Sequence, residues 1–178
     1  MMKTVVIYQS KTGYTKKYAQ WIADALQADL TENSKIKDRE ITSYDAIVYG
    51  GSLFATGILG LKRIKKLLPS LTGKKIAIFG VGLTPTREDA INGVKQHNLK
   101  EDELKIVHFF YFRGGFNLKK LPLIDQLMMK MMKASIEKKM KSGKLLTEDE
   151  NGMLEAFDVV SDFTDRSAIE PLLSFIRS

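Results

Sequence analysis

The sequence predicts an α/β fold, a doubly wound five-stranded parallel sheet with helices on both faces and a basic helical insertion after the last strand. Short β-branched or apolar runs alternate with segments whose apolar residues recur every three or four positions, which is the pattern of strands alternating with amphipathic helices. The length of 178 residues suits one domain, residues 1–178, with the insertion at about 113–145.

The predicted elements follow one another along the whole chain. Strands are predicted at residues 4–8, 28–32, 45–49, 74–81 and 103–111. Helices are predicted at residues 14–26, 58–68, 86–97, 121–134 and 159–176. Pro69 stops the second helix, and the last helix is expected to break near Asp165. Helical crossovers between successive strands make those strands parallel.

A hydroxyl-rich turn lies between the first strand and the first helix. It consists of Ser10, Lys11, Thr12, Gly13, Tyr14 and Thr15. Amides at a helix N-terminus point at a bound anion, and the helix dipole favours negative charge there. The turn lacks the glycine pattern of a Walker loop or a dinucleotide fingerprint. It therefore predicts a phosphate site, and helix capping by Ser10 or Thr12 is the structural alternative.

Two further loops, 50–57 and 80–86, are expected at the same edge of the sheet, because the carboxyl ends of parallel strands share one edge. Both combine glycines with hydroxyls, which suits a planar, polar ring. The predicted ring contacts are Gly51, Ser52, Leu53, Phe54, Gly82 and Thr84. Phe54 is the candidate to stack on the ring. For each of these residues the alternative is a turn glycine or a core side chain.

Positive charge is concentrated in residues 113–145, where nine basic residues stand against two acidic ones and the formal charge of +7 equals that of the whole chain. The apolar residues of the helix predicted there share one stripe, namely Ile124, Leu127, Met128 and Met131. Such a stripe beside lysines is typical of a helix that lies on an anionic membrane or grips a flat apolar ligand. A helix packed on the domain with a solvated basic face is the alternative.

Composition excludes several classes of protein. The chain has no cysteine, which excludes disulfides, thiolate catalysis and cysteine-ligated metals. His97 and His108 fall in different elements, so we expect no metal site, and no catalytic side chain can be assigned. No apolar run approaches membrane-spanning length and no signal peptide is visible, so a cytoplasmic protein is expected. Nucleic-acid binding is not expected, because aromatic residues are not interleaved with the lysines.

The turn at residues 10–15 resembles the Ser/Thr-x-Thr-Gly-x-Thr loop of flavodoxins, which holds the phosphate of FMN. The insertion, aromatic-x-Arg-Gly-Gly-Phe followed by Leu-Pro-Leu-Ile-Asp-x-Leu-Met-Met-Lys-Met-Met-Lys, resembles the menaquinone-dependent protoporphyrinogen IX dehydrogenase family. The first resemblance implies FMN held by its phosphate at Ser10, Thr12, Gly13 and Thr15, with the two other loops at the isoalloxazine.

The second resemblance implies an enzyme of heme biosynthesis that oxidises a porphyrinogen and passes electrons to a quinone at the membrane. It further implies that the insertion contacts the substrate or the membrane. Two alternatives stay open at this point. One is an electron carrier that docks a redox partner without a substrate of its own, and the other is a flavodoxin fold that has lost its flavin.

Overall fold

A computed structural model describes residues 2–54 and 56–178, apart from the side chains of Asp149 and Asp158. Its strands are β1 (Thr4–Gln9), β2 (Asp29–Glu32), β3 (Ala46–Phe54), β4 (Gly57–Ile58), β5 (Lys75–Gly82), β6 (His108–Arg113), β7 (Gly115–Phe116) and β8 (Ser161–Asp162). Its helices are α1 (Tyr14–Leu26), α2 (Asp38–Ile41), α3 (Leu61–Leu67), α4 (Glu88–Asn98), α5 (Leu123–Lys141), α6 (Glu148–Asp158) and α7 (Glu170–Arg177).

The central sheet has the order β2-β1-β3-β5-β6, and all of these neighbouring strands pair in parallel. β4 adds a short antiparallel partner to the end of β3. The predicted five-stranded parallel sheet is therefore confirmed. This strand order is that of flavodoxin-like folds, in which the winding reverses between β1 and β3 and opens a crevice at the carboxyl ends of the strands.

Alternate side chains of each strand enter opposite faces of the sheet, because the side-chain period of a strand is two. On β1, Val6 joins a core cluster with α1 and α7, whereas Val5 and Ile7 join a second cluster with α2 and α3. Tyr18 and Ile64 are fully buried representatives of the two helical layers. Both faces of the sheet are thus covered by helices, as predicted.

Several predicted elements have other bounds in the structure. β6 starts at His108 rather than at 103, because Glu103–Lys105 form a 3-10 turn. The helix predicted at 58–68 starts at Leu61, because Ile58 pairs with Leu53 in a hairpin.

The predicted 159–176 helix is instead β8, a 3-10 turn over Arg166–Ile169 and α7. The predicted helix is therefore present only after Asp165, whose carboxylate accepts a hydrogen bond from the Ser167 amide at 2.8 Å and caps the 3-10 turn.

The chain forms two compact units. The sheet unit comprises the chain up to Gly114 together with Thr164–Ser178, and the inserted unit comprises Gly115–Phe163. The insertion predicted at 113–145 therefore continues further along the chain, through α6 and β8. The assignment of residues 1–178 to one domain stays a prediction.

The inserted unit consists of two helices and a small hairpin. α5 extends to Lys141, beyond the predicted end at 134, and the ammonium of Lys139 bonds both carboxylate oxygens of Glu150 on α6 at 2.7 and 2.8 Å. The rings of Phe116 and Phe157 lie edge to face with centroids 5.6 Å apart. β7 and β8 pair antiparallel, so the two ends of this unit are neighbours.

Candidate functional site

Three loops meet at the carboxyl edge of the sheet, as the sequence predicts. β1 ends at Gln9, which pairs with Gly51 of β3, and Gly51 pairs in turn with Gly80 of β5. The loops that follow β1, β3 and β5 therefore leave neighbouring strands in the same direction. They surround the point between β1 and β3 at which the winding of the sheet reverses, which is where ligands bind in open α/β sheets.

The first loop leaves the start of α1 without a capping side chain. Gly13 is the N-cap residue, with φ of 95°, and its amide donates to the Ser10 hydroxyl at 3.0 Å. Ser10 thus closes the turn, and the predicted alternative of a helix capped by Ser10 or Thr12 is wrong. The first turn of α1 also holds no acidic residue. An uncapped helix start without negative charge fits an anionic group such as a phosphate.

Ser52 connects the first loop to the second. Its hydroxyl lies 2.8 Å from the Thr15 hydroxyl and accepts a hydrogen bond from the Lys11 amide at 3.4 Å. Thr15 is fully buried, so its hydroxyl is a structural partner of Ser52 in this arrangement. These contacts hold the predicted phosphate loop against the end of β3.

Phe54 lies at the end of β3, half-buried, with the ammonium of Lys11 4.1 Å from its ring centroid. This distance is within the range of a cation–π interaction. Lys11 covers one face of the Phe54 ring, so a planar ligand stacked on Phe54 would meet the opposite face. The two loops thereby bring a positive charge and an aromatic ring together at the predicted ring position.

The predicted glycines also have packing roles. A Cβ at Gly51 would lie 2.5 Å from Ile58 Cγ2, and a Cβ at Gly82 would lie 2.7 Å from both Leu53 Cδ1 and the Tyr111 hydroxyl. Leu53 packs partly buried against the core. Part of the glycine pattern therefore reflects close contacts beneath the edge, and the proposed roles of these residues toward a flavin stay predictions.

The third loop is held in place by Tyr111 of β6. The Tyr111 hydroxyl donates to the Thr84 carbonyl at 2.7 Å, and the Gly114 amide donates to the Gly82 carbonyl at 2.7 Å. Thr84 thus has its backbone fixed at the edge of the sheet. Sequence reasoning did not identify Tyr111, because a tyrosine inside an aromatic strand is typical of a core residue.

Asn98, at the end of α4, also contacts the site region and was missed. Its side chain bonds the backbone of Thr56 and Ile58, beside the second loop. These residues are 42 and 40 positions away along the chain, and no local pattern marks such a contact. Only the tertiary structure reveals the contact of Asn98 with this loop.

A hydrogen bond from Tyr49 fixes the base of the second loop. It is fully buried, and its hydroxyl donates to the Leu59 carbonyl at 2.6 Å. Burial raises the pKa of Tyr49 above its usual range. The hydroxyl therefore stays protonated and keeps donating to Leu59 at every physiological pH.

Exposed apolar side chains are concentrated in the inserted unit. Of the thirteen large apolar residues that are exposed in the described part of the chain, eleven belong to it. The predicted stripe of α5 is among them, with Leu127 60% and Met131 65% exposed. The core of the inserted unit therefore does not bury this stripe. Each helix in the described part of the chain is too short or too polar to span a lipid bilayer.

The charge of the inserted unit differs from that of the 113–145 segment. The inserted unit carries eight basic and eight acidic residues, because the acidic residues of 148–162 belong to it, and its formal charge is zero. The sheet unit carries twenty basic and thirteen acidic residues, a formal charge of +7. The positive balance thus belongs to the unit with the three loops, and α5 is a basic helix paired with an acidic one.

Known protein families and curated proteins include relatives of this chain. The flavodoxin domain model matches residues 5–143. The flavodoxin-like domain-containing protein BilS of Clostridioides difficile (strain CD3) is 40% identical over 83 residues, which are 44% of this chain and 46% of that protein. The chain thus matches less than half the length of that curated relative.

Several solved structures of flavodoxins resemble the chain at low identity. A flavodoxin from the domain Archaea is 20% identical over 64% of this chain and 85% of its own, with a TM-score of 0.42. Megasphaera elsdenii flavodoxin is 20% identical over 61% and 84%, with a TM-score of 0.45. A WrbA-like flavodoxin from Agrobacterium tumefaciens is 16% identical over 89% and 95%, with a TM-score of 0.44.

The family match confirms the resemblance to flavodoxins, whereas the closer resemblance to protoporphyrinogen dehydrogenases stays a prediction. Since the matched residues 5–143 are well over half of the chain, the chain belongs to the flavodoxin domain family.

Proposed function

We propose that this chain binds FMN noncovalently at the carboxyl edge of its sheet and acts as an oxidoreductase. The observation that carries the proposal is the uncapped start of α1 behind the Ser10–Gly13 turn, at the β1/β3 switch point. The phosphate would bind the hydroxyls of Ser10 and Thr12 and the amides of the first turn. FMN supplies hydride and single-electron transfer, while the protein binds and orients it.

The ring would lie against the second and third loops. Phe54, with Lys11 on one face, offers a stacking surface, and the Ser52–Thr15 contact keeps that loop beside the phosphate loop. The sheet unit has a formal charge of +7, which favours a bound phosphate dianion and a reduced, anionic flavin. The charge of the sheet unit thus supports the proposal of an anionic cofactor at this edge.

The proposal is tested by measuring binding of FMN and of riboflavin, which lacks the phosphate, to the purified protein. We expect a visible flavin spectrum and FMN affinity about a hundredfold or more above riboflavin affinity, since a charge-assisted hydrogen bond contributes roughly 1.5–3 kcal/mol and the phosphate makes several. Equal affinity for the two flavins would contradict a phosphate site, and failure to bind either would remove the proposal.

A more specific function is a quinone-linked dehydrogenase of the protoporphyrinogen IX type. It is favoured by the exposed apolar stripe on α5, which suits a flat apolar substrate or a quinone. In the test, FMN-loaded protein receives a porphyrinogen and a menaquinone analogue without oxygen. We expect quinone-dependent porphyrin formation, and Leu127→Ser and Met131→Ser should reduce it. Reduction of the flavin by a partner protein, without turnover of either small molecule, would instead support the electron carrier.

We propose further that α5 lies on an anionic lipid surface. Its exposed apolar stripe is accompanied by the exposed lysines Lys130, Lys138 and Lys141. Each lysine near such a surface contributes about 1 kcal/mol, and apolar side chains add burial in the interface. An acidic residue of α6 repels the anionic lipid surface less where a lysine of the same unit neutralises its charge. Glu150 is paired with Lys139 in this way.

Sedimentation with phosphatidylcholine vesicles, with and without phosphatidylserine, tests the lipid surface. We expect binding that needs phosphatidylserine, weakens as salt is raised, and falls several-fold in Leu127→Ser. Ile106→Ser removes an exposed apolar side chain from the sheet unit and is the matched control, with no expected change. Absence of binding, or binding that ignores lipid charge and salt, would contradict the proposal.

A further inference from the structure

The hairpin between β3 and β4 contains an unusual backbone conformation. Thr56 has φ of 69°, in the left-handed region that β-branched residues rarely adopt. The other described non-glycine residue with positive φ, Gln27, is the C-cap of α1, where this conformation is ordinary. Thr56 lies in the two-residue turn between Phe54 and Gly57, where a positive φ is common but glycine or asparagine is the usual residue, and it is exposed, so core packing does not select threonine there. Residues held in sparsely populated conformations cluster at ligand sites.

The side chain of Asn98, on α4, is hydrogen-bonded to the backbone of this turn. Its amide nitrogen donates to the Thr56 carbonyl at 2.7 Å, and its amide oxygen accepts from the Ile58 amide at 2.8 Å. The same nitrogen also donates to the Val94 carbonyl at 2.8 Å, which fixes the side chain on its own helix. One side chain thereby determines the direction of the backbone groups on both sides of Gly57.

The base of the hairpin is fixed independently of Asn98. The Leu59 amide donates to the Ser52 carbonyl at 3.0 Å, and the Leu59 carbonyl accepts from the buried hydroxyl of Tyr49. Ile58 is buried against Gly51. Loss of the Asn98 contacts should therefore change the conformation of the exposed tip while the hairpin stays attached to the sheet.

We infer that Asn98 is a positioning residue for the flavin ring, because it holds the Thr56–Ile58 backbone in the conformation that receives the ring beside Phe54. This inference rests on the proposed FMN site. It assigns part of the affinity for the ring to a residue outside the three loops. The phosphate loop, in contrast, determines the discrimination between FMN and riboflavin.

The test compares Asn98→Asp with Asn92→Asp, which introduces the same charge on the same helix. The Asn98→Asp variant keeps an acceptor for the Ile58 amide, but it loses the donor to the Thr56 carbonyl and places a carboxylate oxygen against that carbonyl. We expect FMN and riboflavin affinities both to fall about tenfold, by the same factor, as a lost and opposed hydrogen bond predicts. Asn92→Asp should leave both affinities unchanged.

Rescue by glycine separates ring positioning from general support of the fold. Glycine adopts positive φ without steric cost, so Thr56→Gly added to Asn98→Asp should restore most of the lost affinity for both flavins. Thermal unfolding of the flavin-free variants is recorded beside the affinities. If Asn98→Asp does not fold, Asn98→Ser, which adds no charge, carries the same expectation and the same rescue.

Three results would overturn the inference. Wild-type affinity in Asn98→Asp would overturn it while leaving the FMN site intact. A loss of affinity that Thr56→Gly does not restore would reduce Asn98 to a support of α4. Absence of flavin binding by the wild-type protein would remove the inference together with the proposed function.

Discussion

Thr12→Asp is expected to weaken FMN binding at least about a hundredfold while slightly stabilising the flavin-free protein. A phosphate monoester carries nearly two negative charges, and a carboxylate about 4 Å away opposes each by several kcal/mol at the effective dielectric of a protein surface. The same carboxylate lies beside the positive end of the α1 dipole, which contributes about 0.3–1 kcal/mol of stability. The new carboxylate is therefore expected to lower the affinity for FMN and to raise the stability of the flavin-free protein.

Thr12→Asn is the matched control, because asparagine has the shape of aspartate without its charge. We expect FMN affinity within about tenfold of wild type in this variant, since only one neutral hydrogen bond changes. Titration with FMN and with riboflavin, together with urea unfolding of the flavin-free protein, measures both effects. Riboflavin affinity should hardly change in either variant. A Thr12→Asp variant with normal FMN affinity would place the phosphate elsewhere.

Gly50→Ala is expected to destabilise the protein by about 3 kcal/mol or more, the upper range for overpacking a core. Gly50 lies in β3, the central strand, and a Cβ there would lie 2.0, 2.4 and 2.5 Å from three ring atoms of Phe79. Phe79 is fully buried, so its ring has no free space to move into. The strand must shift, and the second loop of the site shifts with it.

Gly93→Ala provides the control for this prediction. Gly93 lies within α4, and a Cβ added there would meet no atom within 4 Å beyond its chain neighbours and the nearby backbone of its own helix. Alanine is the better helix former, so this substitution should stabilise the protein by about 0.5–1 kcal/mol. Urea unfolding of the two variants should therefore give changes of opposite sign. A change below about 1 kcal/mol in Gly50→Ala would show that the core around Phe79 adapts readily.

The sheet and the first loop could be predicted because their determinants are local. The runs at 4–8 and 45–49 are β-branched and apolar, and burial on both faces of the sheet requires such runs. The turn from Ser10 to Thr15 follows its strand directly, so its position at the edge of the sheet follows from the order of the elements.

The contacts that shape the second loop could not be predicted, since their partners are distant in the chain. Asn98 reaches Ile58 from a different helix, and Tyr111 reaches Thr84 of the third loop from a different strand. Ile58 continues the apolar pattern of α3, so the pattern predicts the start of a helix where the structure has the second strand of the hairpin.

One missed element did have a local pattern. Thr147 and Glu150 form a capping box at the start of α6, with the Glu150 amide bonded to the Thr147 hydroxyl at 3.2 Å and the Thr147 amide bonded to the Glu150 carboxylate at 2.8 Å. The sequence Thr-x-x-Glu predicts such a start. Because this helix start was not recognised, the insertion was predicted to end at about 145. The charge count of the insertion therefore left out the acidic residues of α6.

The pairing of β7 with β8 has a consequence for how this chain can change over evolution. Gly115 lies opposite Asp162, so the 49 residues of Gly115–Phe163 begin and end at neighbouring points. A segment whose ends meet can be gained, lost or exchanged at a surface loop without rethreading any strand. The inserted unit can thus be gained or exchanged as a whole, while the central sheet keeps its strand order.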